Sequence, residues 1–220
     1  MRLFDVIGPI MTGPSSSHTA GAAKIGLVTR AMLGGEPVKA DILLHGSFAQ
    51  TGRGHGTDRA IVAGLLGIRP DDPRIPDSFS LAEKAGLAFS FTTGTLKNVH
   101  PNTASLKVEN ADGESLSVVA SSLGGGRIQI CRVDGIETGF SGGSNTLIVH
   151  NEDKPGCAAV VTALLARFGL NIATMQLCRN FPGGYAVMVI ECDQYIPAEL
   201  ARELEKADGV ARVTRLNLDV

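Results

Sequence analysis

The stretch TLIVHNEDKPGCAAVVTALLARFG, residues 146–169, decides the architecture of the carboxy-terminal part of this chain. TLIVHNED is a short apolar strand. PGCAAVVTALLARFG has helical spacing, with Val160, Ala163, Leu164 and Phe168 on one face. Pro155 suits the first turn of that helix and Gly169 its end. Beyond it, NIATMQLCRN and GYAVMVIECD are strands joined by FPGG, a hairpin signal. PAELARELEKAD is an amphipathic helix with Leu200 and Leu204 four apart, and GVARVTRLNLDV alternates and closes as a strand. The order βαββαβ folds as a ferredoxin-like sandwich, two helices on one face of an antiparallel sheet.

A Gly/Ser-rich break, GFSGGSN at residues 139–145, precedes this module. It predicts one domain over residues 1–140 and a second over 147–220, an α+β chain with a mixed α/β first half. In that half, TAGAAKIGLVTRAML reads as a helix and KADILLHGSFA as a strand. TDRAIVAGLLG reads as a second helix, with Ile61, Leu65 and Leu66 on one side, and SFSLAEKAGLAF as a third. From Thr103, period-two segments separated by ADGE and LGGG turns predict a strand meander.

The totals narrow the function classes. With 220 residues, 44% of them hydrophobic, the chain can bury an ordinary core. A formal net charge of −2 and scattered basic residues argue against nucleic acid, which wants a clustered basic surface. The four cysteines, Cys131, Cys157, Cys178 and Cys192, show no C-x-x-C spacing and no flanking histidines, so they read as buried reduced thiols and no metal site is expected on this chain. The opening MRLFDVIGPI lacks an apolar run long enough for a signal peptide, and nothing approaches a membrane span. A soluble, cytoplasmic protein is expected.

Three polar clusters remain. GPSSSHTAG, residues 13–21, places Ser15, Ser16, Ser17, His18 and Thr19 where a loop becomes a helix. One hydroxyl suffices to cap a helix. Four hydroxyls and an imidazole beside unpaired first-turn N–H groups make an anion site. HGSFAQTGRGHGTDRA, residues 45–60, reads as strand, glycine-rich loop and helix, with His55 on the loop as an acid/base candidate and Thr57 and Asp58 capping the next helix. A dinucleotide fingerprint is spoiled by Thr57 in place of the third glycine, and a P-loop by the missing lysine. HPNT, residues 100–103, puts His100 and Asn102 at a strand entrance.

Taken in order, GPSSSHTAGAA, GSFAQTGRGHGTDRAIVAGLLG, VHPNTA and GGGRIQI resemble the β chains of the two-subunit, iron–sulfur-dependent bacterial L-serine dehydratases. The amino-terminal part resembles the allosteric-substrate-binding domain of some phosphoglycerate dehydrogenases. The tail resembles an ACT domain, on NEDKPG before its first helix and GLNI after it. This resemblance implies conversion of L-serine to pyruvate and ammonia. It implies a [4Fe–4S] cluster held by cysteines of a separate α subunit, one iron acting as Lewis acid on the substrate. His55, His18 and His100 become the catalytic candidates. Ser15, Ser16, Ser17, Thr19, Thr57, Asp58 and Asn102 become the substrate-binding ones. Asn151, Asp153, Gly156 and Asn171 map onto the ACT effector site, and self-association through the ACT domain is expected. The competing reading is a non-enzymatic amino-acid sensor built on the ACT module.

Overall fold

The computed structural model describes residues 10–217. The first residues, read above for a signal peptide, and residues 218–220 of the expected closing strand lie outside that range. The chain divides at Asp134/Gly135 into two compact units.

The first unit opens with a short π-helix, Ser16–Gly21, that runs into α1 (Ala22–Leu33). Then come β1 (Pro37–His45), α2 (Gly46–His55), α3 (Thr57–Leu65), α4 (Ser78–Ala85) and β2 (Ala88–Gly94). β3 (Asn102–Asn110), β4 (Ser115–Gly124) and β5 (Arg127–Val133) form the expected meander. Its strands lie in the order β2-β1-β3-β4-β5. β1 and β2 are parallel, so helices α2 to α4 form their crossover, and the other pairs are antiparallel.

Two expectations fail here. The strand over KADILLHGSFA stops at His45: Gly46 turns the chain at φ +55, the Ser47 N–H donates to the Pro101 carbonyl (2.9 Å), and GSFAQTGRGH is helical. Phe48 and Gly52, four apart, are buried on the inner side of α2. That burial outweighs the roughly 1 kcal/mol by which each glycine disfavours a helix. The third helix ends at Ala85, and its expected last residues instead begin the edge strand β2, which the sequence reading did not separate.

α1 and α3 touch backbone to backbone. A Cβ on Gly26 would stand 2.3 Å from the Ile61 carbonyl oxygen, and one on Gly64 2.0 Å from that of Ala23. Around this crossing Ile25, Val28, Met32, Ile61 and Leu65 are buried, as are Ile42, Leu106 and Ile130 of the sheet. Leu66 is only half-buried.

The second unit contains β6 (Ile136–Phe140), β7 (Asn145–Glu152), α5 (Cys157–Arg167), β8 (Ile172–Arg179), β9 (Tyr185–Cys192), α6 (Ala198–Leu204) and β10 (Val210–Leu216). GFSGGSN links β6 to β7. From β7 onward the order is βαββαβ, as the sequence requires, with an antiparallel sheet β10-β7-β9-β8. α5 begins after Gly156, so Pro155 precedes the helix instead of occupying its first turn. Its buried stripe is Cys157, Val161 and Leu165, while Val160 is 44% exposed. The helix carries apolar residues on several sides, so spacing alone did not single out the inner one.

Gly26→Ala or Gly64→Ala is expected to cost at least about 1–3 kcal/mol, because backbone cannot yield to a methyl group as a side chain can. Gly54→Ala, helical and with nothing within 4 Å of the added carbon, is expected to be neutral or stabilising. Denaturant midpoints check both; a tolerated Gly64→Ala contradicts the contact.

Candidate active site

Ser15 is the N-cap of the π-helix: its Oγ accepts the His18 N–H at 3.1 Å. Its carbonyl accepts from both Thr19 N–H (2.9 Å) and Ala20 N–H (3.3 Å), the wider i+5 bond that makes this turn π-helical. Gly21 lets that turn lie against Ser122, whose Oγ would be 2.1 Å from a Cβ at this position.

His18 projects from the turn onto α2. Its Nε2 lies 3.1 Å from Ser47 Oγ and 3.0 Å from Thr51 Oγ1. Its Nδ1 lies 3.1 Å from Ser17 Oγ and 3.5 Å from Ser15 Oγ. The His18 and His55 rings are 5.0 Å apart, and Phe48 meets His18 edge-on at 5.3 Å. Burial, then the neighbouring His55, push His18 below the ordinary histidine value of 6.5, against a hydrogen bond to the Ser47 backbone that pulls it up.

His55 is half-buried at the last position of α2, not on a flexible loop. Its Nδ1 is 3.1 Å from the Thr51 carbonyl. A carbonyl only accepts, so the proton is on Nδ1 and the neutral ring keeps a lone pair on Nε2. Thr19 is buried, and its hydroxyl donates to the His55 carbonyl at 3.0 Å. That bond ties the first two clusters together. A pocket of about 210 Å³ opens beside His55, lined also by Thr12, Gly13, Pro14, Thr19 and Arg59. The Arg59 guanidinium donates to the Pro76 carbonyl and lies over Phe79 at 5.2 Å.

The remaining first-unit candidates have other duties. Ser16 Oγ accepts the Gly125 N–H (3.3 Å) from the LGGG turn. Thr57 and Asp58 do not cap α3, because Gly56, at φ +68, occupies the cap position without a side-chain bond. Thr57 is fully buried beside Gly52, and Asp58 Oδ1 accepts the Arg59 N–H at 2.8 Å. His100 is exposed, and its Nδ1 accepts the Asn102 N–H at 3.1 Å. Its turn is joined to the start of α2 through Pro101, yet no hydrogen bond among the described residues links His100 to His18 or His55.

In the tail, Asn151 is buried, its amide donating to the Glu152 carbonyl (2.6 Å) while its Oδ1 has no partner. Asp153 is engaged by Gly183 N–H and Arg179, which hold its carboxyl below the usual carboxylate range. Gly156 precedes α5 beside them. Asn171 lies apart, donating to Asp193 at 2.6 Å. The ladder pairs Asn151 with Ala186 and Asn145 with Cys192, next to Ile172. Asn151 and Asn171 therefore sit about 20 Å apart along the sheet and form no single pocket in one chain.

The cysteines do not fit a cluster. Cys157 and Cys192 belong to the buried tail core, Cys131 bonds to Ser121 (3.3 Å), and all four are free thiols. Among the described residues no three His, Cys, Asp or Glu side chains converge as metal ligands.

Residues 3–85 match the family described as serine dehydratase beta chain, and residues 145–209 match the ACT domain. The probable L-serine dehydratase beta chain of Bacillus subtilis (strain 168) is 42% identical over 214 residues, 97% of each chain. The L-serine dehydratase beta chain of Peptoniphilus asaccharolyticus is 41% identical over 212 residues, 96% of this chain and 94% of that one. This chain belongs to the L-serine dehydratase beta-chain family. A D-3-phosphoglycerate dehydrogenase of Bacillus subtilis is 26% identical over 200 residues, 90% of this chain but 37% of that enzyme. Membership in the beta-chain family implies a partner subunit. Among the described residues no helix is long and apolar enough to cross a membrane.

Sequence reading missed Ser47, Phe48 and Thr51 because it took their segment for strand and loop. The signal was present: Ser47, Thr51 and His55 recur every four residues, one face of a helix.

Because folding lowers the His18 value, the unfolded chain takes up a proton first as pH falls through 6.5, and folded stability is lost on acidification. Wild type is expected to lose more stability than His18→Gln between about pH 7.5 and about pH 5.5. Urea midpoints at the two pH values check this, and parallel losses contradict it.

Proposed function

We propose that this chain supplies the substrate-gripping and proton-moving half of an enzyme that converts L-serine to pyruvate and ammonia. The observation that carries the reading is the pair of rings of His18 and His55, 5.0 Å apart, with a small pocket opening beside His55, whose Nδ1 is held by the Thr51 carbonyl. Serine dehydration must remove a weakly acidic Cα proton and expel hydroxide, a poor leaving group. In this reading the Ser15–Ser17 turn and its first-turn N–H groups hold the amino acid, and His55 moves the Cα proton. Thr19 and Thr57 support the site from beneath, Thr19 through the His55 carbonyl and Thr57 by packing on Gly52.

The electrophile is the piece these side chains do not provide. We place it, as a [4Fe–4S] cluster, on a cysteine-bearing α chain, since the four thiols here are dispersed and two are in a packed core. After β-elimination the enamine loses ammonia by hydrolysis, giving pyruvate. In the complex of the two chains, His55→Ala is expected to abolish turnover while leaving the melting curve intact; near-normal turnover would refute the role. A chromophore that appears only on co-expression with the α chain separates this reading from a non-enzymatic sensor.

In the same reading the tail self-associates and binds an effector. β8 is an edge strand whose Met175 and Leu177 are 37% and 51% exposed. Antiparallel pairing of β8 with that of a second copy would bring Asn151, Asp153 and Gly156 of one chain to Asn171 of the other. An amino acid bridging the two would find the unpaired Asn151 Oδ1 among its acceptors. Leu177→Glu is expected to reduce the mass of the assembly in sedimentation; an unchanged mass would exclude this edge.

A further inference from the structure

His18 is the middle of a chain of hydrogen bonds, and both ends of that chain are fixed by backbone. At the far end, Thr51 Oγ1 is 2.9 Å from the Ser47 carbonyl. A carbonyl only accepts, so the single Thr51 proton is committed there. Towards His18, Thr51 Oγ1 can then only accept, and at 3.0 Å it takes the proton of Nε2. Ser47 Oγ, 3.1 Å from the same nitrogen, shares that proton as a second acceptor. A neutral His18 with Nε2–H has a bare lone pair on Nδ1, which faces Ser17 Oγ at 3.1 Å. Ser17 therefore donates to His18. Ser15 Oγ is 3.3 Å from Ser17 Oγ and donates to it, while itself accepting the His18 backbone N–H at 3.1 Å. The protons run one way: Ser15 to Ser17 to His18 to Thr51 to the Ser47 carbonyl.

A directed chain has a consequence for recognition. Ser15 and Ser17 have spent their hydroxyl protons inside it, so they offer a ligand only lone pairs. Ser16 differs: its Oγ accepts from Gly125, and its proton has no place in this chain of hydrogen bonds.

We propose that Thr51 is a positioning residue that sets the direction of this chain, and that the direction makes Ser15 and Ser17 acceptors for the ammonium of an amino acid while Ser16 donates to its carboxylate. The proposal rests on the active-site reading above and assigns each serine the substrate group it holds. It selects α-ammonium acids over α-hydroxy acids, whose neutral hydroxyl is the weaker donor. His55 depends on Thr51 as well, through the carbonyl that fixes its Nδ1 proton, but that bond survives a change of side chain.

Thr51→Val removes the hydroxyl and keeps the shape. Ser47 Oγ can then donate to His18 Nε2, the imidazole proton moves to Nδ1, and the chain reverses. Thr51→Ser keeps the hydroxyl and is the control for helix or packing damage. Two measurements test this. The first follows the ring nitrogens by long-range NMR correlation in the full chain labelled with ¹⁵N-histidine. Wild type and Thr51→Ser are expected to show His18 protonated on Nε2 alone; Thr51→Val is expected to shift protonation towards Nδ1. A wild-type His18 protonated on Nδ1, or nitrogen signals unchanged by Thr51→Val, overturns the proposal. The second is KM for L-serine in the two-chain complex, with glycerate as a competing α-hydroxy acid. Thr51→Val is expected to raise KM about tenfold and weaken the preference for serine over glycerate, with Thr51→Ser restoring both. A changed tautomer with unchanged KM and preference overturns the ammonium assignment. The tautomer is read without turnover, so a failure of the active-site reading, shown by an active His55→Ala complex, stays distinct from a failure of this one.

Discussion

The close crossing of α1 and α3 is the constraint on which the site depends. Gly26 and Gly64 let two helix backbones meet where any side chain would hold them apart. The turn that leads into α1 carries Ser15 to Thr19, and the residue just ahead of α3 is Gly56, next to His55. Pressing the helices together sets these two entrances side by side. The Thr19 hydroxyl can then reach the His55 carbonyl, and His18 can reach Ser47 and Thr51. Two stretches thirty residues apart in sequence become one polar surface because two glycines lie beneath them.

The order of elements in the tail was legible in the sequence because its strands and turns carry their own signals, although the inner face of α5 was not. FPGG is a hairpin in the structure, and Leu200 and Leu204 both point inward. The first unit was harder, for a definable reason. GSFAQTGRGH contains three glycines and no apolar stripe beyond Phe48, so propensity and pattern both spoke against a helix. It is helical because Phe48 and Gly52 are buried and the Pro101 carbonyl catches its first turn. Both are tertiary facts. That single misreading hid Ser47 and Thr51 and put His55 on a loop. The clusters were nonetheless found, since serines and histidines beside glycines stand out by chemistry even when their backbone is misassigned.

The first unit gathers hydroxyls, backbone donors and the imidazoles of His18 and His55 at one polar surface. Three of the chain's four thiols are engaged locally: Cys157 and Cys192 in the tail core, Cys131 against Ser121. In the proposed reaction, a partner that brings the electrophile would meet this polar surface. Burial holds His18 below the ordinary histidine value, and the neighbouring His55 acts in the same direction.

The decisive measurement is a crystal structure of the two-chain assembly with a bound, unreactive serine analogue. The analogue is expected between the π-helical turn and the end of α2, its Cα hydrogen facing His55 Nε2 and the His18–Thr51 contact preserved. An analogue seated elsewhere, or a complex in which those two junctions have separated, would rule out the shared site.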